Sequence, residues 1–158
     1  MHALTISQPF ASLIATGEKW VENRTWGTPY RGILAIHAGK GTQYLSTGEL
    51  RDGKYAVGAV VAIARLVDCV HALNLHAWYE SGHASRQIGP RTVGELLAHK
   101  HTEGPVCWVL SSVIALPSPI AVPGEQGLWD WQAPRDLQGQ YETEVTLRAA
   151  RALRTARE

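Results

Sequence analysis

The N-terminal part of the chain has the pattern of a short strand that leads into a helix. Residues Ala3 to Ile6 are mostly apolar and predict the strand. Ser7 is the predicted N-cap of the helix, Pro9 lies in its first turn, where proline is tolerated, and Gly17 ends it. One face of this helix is apolar, because three apolar residues follow the spacing i, i+3 and i+4: Phe10, Leu13 and Ile14.

The next segment alternates between two kinds of side chain, as a strand does. Residues Trp20 to Trp26 predict this strand, and one of its faces carries Trp20, Glu22, Arg24 and Trp26. After a turn at Gly27 to Gly32, residues Ile33 to Ile36 predict a short buried strand. Gly39 to Lys54 is glycine-rich and polar and predicts a loop with one helical turn near Tyr44 to Leu50.

The remaining pattern adds strands and short helices. It predicts strands at Tyr55 to Val70 and Val106 to Leu116, helices at Leu73 to Glu80 and Thr92 to Lys100, and the end of the folded body at Gly127 to Trp131. An exposed segment rich in His and Gly separates the two helices. Five or six strands without regular βαβ alternation predict an α+β fold: a small, mostly antiparallel or mixed barrel with flanking helices. We divide the chain into a barrel domain, residues 1–135, and a helical tail, residues 136–158.

Composition indicates one reduced, globular domain. The chain has 158 residues, of which 45% are hydrophobic and 18% charged. Cys69 and Cys107 lie in apolar runs and predict buried free thiols, and neither they nor the seven histidines have metal-ligand spacing. No apolar run reaches the roughly 18–20 residues of a membrane span, and the first residues do not form a secretory signal. We therefore expect a cytoplasmic protein with no membrane partner, metal or cofactor.

Charge limits the kind of binding that the chain supports. The formal net charge is only +1, whereas domains that hold duplex DNA mainly through phosphates are often strongly basic. The sequence therefore favours a local site over broad electrostatic binding.

The chemically informative residues are Lys19, Glu22 and Arg24. Glu22 and Arg24 are two apart on the predicted strand, so they share a face, and Lys19 precedes that strand and could reach the same face. The two cations can donate to a base carbonyl or a phosphate, and the carboxylate can accept from an exocyclic amine. A row of surface ion pairs, each worth about 0–1 kcal/mol, is the structural alternative.

Four blocks of the sequence resemble one known family, the ASCH domains, over roughly residues 3–132. The blocks are LTISQPFASLIATGEKWVENRTW, TPYRGILAIHAGK, YAVGAVVAIARLVDCV and GPVCWVLSSVIALPSPIAVPGEQGLWDW. The first contains the family pattern G-x-K-x-x-E-x-R, present as Gly17, Lys19, Glu22 and Arg24. The family is named after a domain of a transcriptional coactivator, and this chain resembles that type more than it resembles the small bacterial N4-acetylcytidine amidohydrolases.

The resemblance implies a PUA-like β-barrel with a cleft beside the first helix. Lys19, Glu22 and Arg24 would line that cleft, and the segment Gln8-Pro9 would form one wall. Relatives are thought to bind RNA or DNA. We therefore expect a nucleic-acid-binding domain for RNA, single-stranded DNA or a modified base.

Some members of the family that this chain resembles are enzymes. The amidohydrolases use a lysine, a threonine and a downstream glutamate; Lys19 matches the lysine, but Glu22 stands in the threonine position. Glu80 is one candidate for the downstream carboxylate. If the chain is an enzyme, Lys19 and Glu22 are its catalytic candidates, in a modified-nucleoside hydrolase or a ribonuclease. A protein-interaction module is a third alternative.

Further candidates surround the motif. Trp26 and Tyr30 are candidate stacking platforms for a base, and Arg31 is a candidate phosphate contact or a turn-stabilising residue. His37 and Lys40 follow a predicted strand and are candidates for the cleft. Two other sets are interpreted as solvated side chains, although the second could also contact phosphates: the loop histidines His76, His83, His99 and His101, and the tail arginines Arg148, Arg151, Arg154 and Arg157.

Overall fold

A mixed sheet of six strands forms the body of the protein. A computed structural model describes residues 1–82, 88 and 92–157, with only the backbone of Val93. His83 and most of the predicted His- and Gly-rich segment lie outside the described residues. The strands are β1 (His2–Ile6), β2 (Val21–Arg24), β3 (Gly32–Ala38), β4 (Ala59–His71), β5 (Val106–Ala121) and β6 (Leu128–Asp130).

The strand order places the first and the last strand side by side in one curled sheet. The order is β2-β5-β4-β3-β1-β6. β1 pairs with β3 in parallel, and every other described pair is antiparallel. Register shifts interrupt the long β4–β5 pairing at three points, and such bulges increase the local twist of a strand. The predicted α+β fold, a small barrel of mixed strands with flanking helices, is confirmed, and its six strands form a curled half-barrel.

The helices are short except for the last one. They are α1 (Phe10–Ala15), α2 (Thr47–Arg51), α3 (Leu75–Glu80), α4 (Val93–Ala98) and α5 (Leu137–Thr155), with a 3₁₀ turn at Ala72–Asn74. In the described part of the chain, none of them combines the length and the apolar character needed to cross a bilayer.

The start of α1 differs from its prediction. Ser7 is not the N-cap; Pro9 takes that position and makes no side-chain capping bond. The Gln8 side chain instead accepts from the backbone N–H of Ser12 at 3.1 Å and donates to the carbonyl of Ala56 at 2.7 Å. Gly17 ends the helix as predicted, in the left-handed region at φ +82°.

Apolar side chains from the sheet and α1 form the main core. Trp108 on β5 is fully buried, and its indole N–H donates to the carbonyl of Trp26 at 2.9 Å. The two indole rings meet edge to face, with centroids 4.8 Å apart. Ala11 and Ile14 of α1 are fully buried against this core, so α1 is anchored to the sheet.

α5 packs against the opposite part of the sheet. It begins at Leu137, within the predicted helical tail, and its Tyr141 is only 4% exposed. The Tyr141 hydroxyl donates to the carbonyl of Ser112 at 3.0 Å, and burial raises its pKa to about 12. Leu137 and Val145 lie beside it in the same apolar cluster. The packed body thus continues past Trp131, and the division at residues 135 and 136 stays a prediction.

Tyr141 predicts an alkaline loss of stability. Its pKa is about 12 in the folded chain and about 10 in an unfolded one, so between these values the folded state binds more protons. Stability should fall as the pH rises above about 10, by on the order of 1 kcal/mol at pH 11 from this group. Tyr141→Phe should lose about 1 kcal/mol at pH 8 with the hydrogen bond and then fall less steeply with pH. Urea unfolding at pH 8 and 11 measures both effects, and parallel pH profiles would contradict the assignment.

Candidate functional site

The predicted charged residues meet over one cleft beside α1. β2 forms the end strand of the sheet and pairs only with β5 among the described strands, with Glu22 opposite Trp108 and Arg24 opposite Val106. Lys19 lies between the end of α1 and the start of β2. The side chains of all three motif residues line a cleft of about 340 Å³. The prediction that they share a pocket therefore agrees with the geometry.

Glu22 connects the two cations. Its Oε2 lies 3.3 Å from Lys19 Nζ, and its Oε1 lies 3.2 Å from Arg24 Nη2. Arg24 also donates to the carbonyl of Thr5 on β1 at 2.7 Å, and Lys19 Nζ donates to the carbonyl of Val21. Lys19 is 2% exposed and Glu22 8% exposed. These are not solvated surface pairs, so breaking one would leave a buried charge without its partner.

Burial makes Lys19 an unusual lysine. Desolvation lowers its pKa below the usual 10.5, while the negative charges of Glu22 and Glu103 act in the opposite direction. Arg24 adds a smaller lowering effect. The ammonium also lies 5.7 Å from the centre of the Phe10 ring, within the range of a cation–π contact. The charged state of Lys19 thus depends on Glu22.

A distant segment forms the other wall of the cleft. The side chain of Asn23 donates to the carbonyl of His101 at 2.8 Å and accepts from the backbone N–H groups of Glu103 and Gly104 at 3.0 and 2.8 Å. These three bonds hold residues 101–104 against β2. The side chains of His101 and Glu103 then line the same cleft as Lys19.

Two buried nitrogen atoms of the cleft side chains lack partners. Arg24 Nε and His101 Nε2 make no hydrogen bond to any residue that the structure describes. Burial, and then the positive charges of Lys19 and Lys100, lower the pKa of His101 below 6.5, so its ring is neutral at pH 7. An unsatisfied buried polar group costs about 1–3 kcal/mol, so these atoms are natural partners for a polar ligand.

Aromatic rings lie at the cleft together with the charges. Phe10 and Tyr44 meet edge to face with centroids 5.2 Å apart, and Phe10 lies 6.0 Å from the His101 ring. Tyr44 is 57% exposed. An exposed aromatic ring beside a polar pocket can stack on a planar group without first leaving the core.

Several other predicted contacts belong to the scaffold. Gln8 is fully buried, and its amide is bonded to the backbone on both sides, away from the cleft lining. Trp26 packs on Trp108, and the Tyr30 hydroxyl donates to the carbonyl of Ile33 at 2.5 Å. The structure therefore does not bring the two predicted stacking residues, Trp26 and Tyr30, to the cleft.

Arg31, His37 and Lys40 also lie outside the cleft lining. Arg31 pairs with Asp68 and donates to the carbonyls of its own turn, which agrees with its turn-stabilising alternative. His37 is 1% exposed, and its Nε2 lies 2.9 Å from the carbonyl oxygen of Val122. Lys40 is exposed and extends along Gly58.

The cleft contains residues that the sequence analysis missed. Asn23, Tyr44 and Glu103 were not singled out, and His101 was interpreted as a solvated loop residue. Glu103, rather than Glu80, is the downstream carboxylate that reaches the cleft. Of these four residues, Asn23 could have been found from the sequence, because it lies inside the charged motif. The other three residues are brought to the cleft by contacts between distant segments.

Comparison with known proteins identifies the family. The family model described as ASCH domain matches residues 4–119, and the chain belongs to this family. The curled six-stranded sheet with its flanking helices agrees with the predicted PUA-like barrel.

Two curated relatives indicate the coactivator type of ASCH domain, as predicted. They are Activating signal cointegrator 1 of Homo sapiens, 35% identical over 81 residues, and of Mus musculus, 37% identical over 81 residues. Each match covers 42% of this chain but only 14% of the cointegrator, so the chain corresponds to a small part of these relatives.

Solved structures that are similar include ASCH from Zymomonas mobilis. A point mutant of that protein gives a TM-score of 0.48 at 17% identity, covering 89% of this chain and 96% of that one. A second structure of ASCH from Zymomonas mobilis gives a TM-score of 0.46 at 16% identity, covering 90% of this chain and 93% of that one.

The ion-pair cluster predicts a large effect of Glu22→Gln. Removing the carboxylate leaves Lys19 buried without its counterion, so the free energy of unfolding should fall by about 3 kcal/mol. The pKa of Lys19 should fall further below 10.5, because Glu22 is the strongest group that raises it. Urea unfolding and an NMR titration of the Lys19 side chain measure the two changes.

Glu103→Gln is the matched control, because Glu103 is exposed and raises the same pKa more weakly. It should cost about 0.5 kcal/mol or less. Equal effects of the two substitutions on the pKa of Lys19 would contradict the ion-pair geometry.

Proposed function

We propose that the chain is a nucleic-acid-binding domain that takes one base of an RNA or single-stranded DNA, or a modified base, into the cleft. The observation that carries this proposal is the arrangement of Lys19, Glu22 and Arg24 around a polar space with exposed Tyr44 at its edge. Its volume of about 340 Å³ is at the lower end of ligand sites, which suits one planar group rather than a duplex.

The chemistry of the cleft walls suits a nucleobase. Arg24 Nε is a donor without a partner among the described residues, and neutral His101 can donate or accept at Nε2. Glu22 uses its two oxygens for the cations, but a carboxylate has about four acceptor sites, so it can still accept from an amine. A base offers such donors and acceptors on its edge and a face for stacking on Tyr44.

Membership of the ASCH family supports nucleic-acid binding in general. A cytoplasmic location is a separate part of the proposal. The net charge of +1 agrees with a site that selects one base and does not need a strongly basic surface. The third alternative, a protein-interaction module, would leave the polar cleft without a ligand. A protein partner that bound the wild type and the cleft variants equally well would favour the interaction module.

The binding proposal predicts that two substitutions of Tyr44 differ in their effect on affinity. Tyr44→Ala removes a stacking surface that contributes about 1–3 kcal/mol, so affinity for a short single-stranded oligomer should fall about 5- to 150-fold. Tyr44→Phe keeps the ring and should bind like the wild type. Arg24→Ala should also weaken binding, because it removes the unpartnered donor. Fluorescence anisotropy with RNA and DNA oligomers measures the affinities, and equal affinities for all four proteins would exclude the cleft.

A hydrolase is the second candidate, and the position of Glu103 favours it. This carboxylate lines the cleft together with Lys19, whose pKa is lowered. Glu103 or Glu22 could accept a proton from an attacking water, while the ammonium of Lys19 stabilises the developing oxyanion. An acylated exocyclic amine on a base, or an RNA phosphodiester, would be the substrate.

The hydrolase predicts release of acetate from N4-acetylcytidine or cleavage of RNA. Glu103→Gln should lower the rate about 100-fold or more if this carboxylate is the base, and Lys19→Met should do the same. Glu80→Gln is the control, because Glu80 does not line the cleft, and it should keep the wild-type rate. Chromatography of the products provides the measurement. Binding without turnover would leave the chain as a binding domain.

A further inference from the structure

The C-terminal half of α5 contains a concentration of positive charge that the cleft does not use. Residues 145–157 contain four of the 15 Lys and Arg residues and no Asp or Glu. The rest of the chain therefore has 11 basic residues against 14 acidic ones. The small net charge hides two regions of opposite sign, and the positive one lies in the last turns of α5 and the residues directly after it.

The arginines in this region differ in their contacts. Arg148 is held by Glu144, with Nε 2.7 Å from the carboxylate oxygen. For Arg151, Arg154 and Arg157, no carboxylate of a described residue lies within 4.0 Å. All three are exposed. We call these three residues the arginine stripe.

The geometry of the helix arranges the arginine stripe as a continuous surface. Arg151 and Arg154 are three apart in α5, so they are turned by about 60° and separated by about 4.5 Å along the axis, and Arg157 follows directly after the C-cap residue Ala156. The apolar side of the helix, at Leu137, Tyr141 and Val145, faces the sheet and fixes the stripe on the outside.

We propose that the arginine stripe is a second contact surface, which binds the phosphate backbone of the strand whose base enters the cleft. The inference rests on the proposed function, because that function supplies the polyanionic partner. Guanidinium groups bind phosphate oxygens through paired hydrogen bonds, and such contacts position a strand without reading its sequence. The cleft would thus select a base, and the arginine stripe would attract the phosphate backbone.

An anionic membrane is a less suitable partner for the same helix. A helix that binds in the membrane interface needs a broad apolar face with large side chains. The apolar face of α5 is occupied by the sheet, and its exposed large apolar residues are Leu147 and Leu153. The charges therefore fit a phosphate backbone better than a lipid surface.

The test compares oligomers of two lengths at several salt concentrations. A single strand of about 4 nucleotides fills little more than the cleft, whereas one of about 16 nucleotides extends well beyond it and can contact a second surface. The variant Arg151→Gln/Arg154→Gln/Arg157→Gln should bind the short oligomer like the wild type. With the long oligomer, the slope of log affinity against log salt should become shallower by about 2, since each phosphate contact contributes about 0.7. The affinity advantage of the wild type should then shrink roughly 20-fold between 50 and 200 mM salt.

Two control variants separate charge from other effects. Arg151→Lys/Arg154→Lys/Arg157→Lys keeps the charge and should keep the wild-type salt slope. A second variant removes the same number of charges elsewhere and should also leave the slope unchanged: Arg51→Gln, Lys54→Gln and Arg135→Gln. Circular dichroism checks that α5 remains helical in the glutamine variant, because arginine near a helix C-terminus also stabilises the helix.

Three outcomes would overturn the inference. They are an unchanged salt slope in the glutamine variant, an equal loss with both oligomers, and binding of the stripe to vesicles with anionic lipids but not to the long oligomer. Arg24→Ala tests the cleft separately. If it leaves the affinity for the short oligomer unchanged, the proposed function fails, whereas the salt slope still reports on the stripe.

Discussion

The carboxylate of Glu22 between Lys19 and Arg24 is the interaction on which the cleft depends. A lysine that is 2% exposed needs a nearby negative charge, because burial disfavours its charged form. Glu22 supplies that charge and also holds Arg24, which in turn bonds to the carbonyl of Thr5 on β1. One carboxylate therefore helps to tie the end of β2 to β1 and keeps two cations at one pocket.

The four-residue strand β2 organises both walls of the cleft. Glu22 and Arg24 lie on one face, and Asn23 between them bonds to the backbone of residues 101–104. Alternation of side chains along a strand allows this division of roles. The consequence is a site whose geometry is fixed by ion pairs on one side and by backbone hydrogen bonds on the other. Such preorganisation reduces the entropy that a ligand must lose on binding.

Local sequence pattern predicted those parts of the site that depend on spacing, and missed those that depend on distant contacts. The shared face of Glu22 and Arg24 follows from their separation by two residues, and the barrel class follows from the number of strands. The position of His101 could not be predicted, because it depends on a bond from Asn23 across 78 residues. Gln8 was predicted to form a wall of the cleft, and its role in the scaffold was missed for the same reason, because its partner, the carbonyl of Ala56, lies 48 residues away. A polar residue near a motif serves the scaffold whenever the fold brings it an unbonded backbone group.

The distribution of charge gives the low net charge a different meaning from the one it has in the sequence alone. A value of +1 argues against a surface that is basic throughout, yet it is compatible with a positive helix end beside an otherwise acidic body. Exposed cations act over about one Debye length, roughly 8 Å at physiological salt, so an excess of acidic residues farther away does not cancel them. In the buried cluster of Lys19, Glu22 and Arg24, salt screens the charges much less. The same chain can therefore combine a cleft that is insensitive to salt with an outer surface that responds to it, because the two groups of charges differ in their exposure to water.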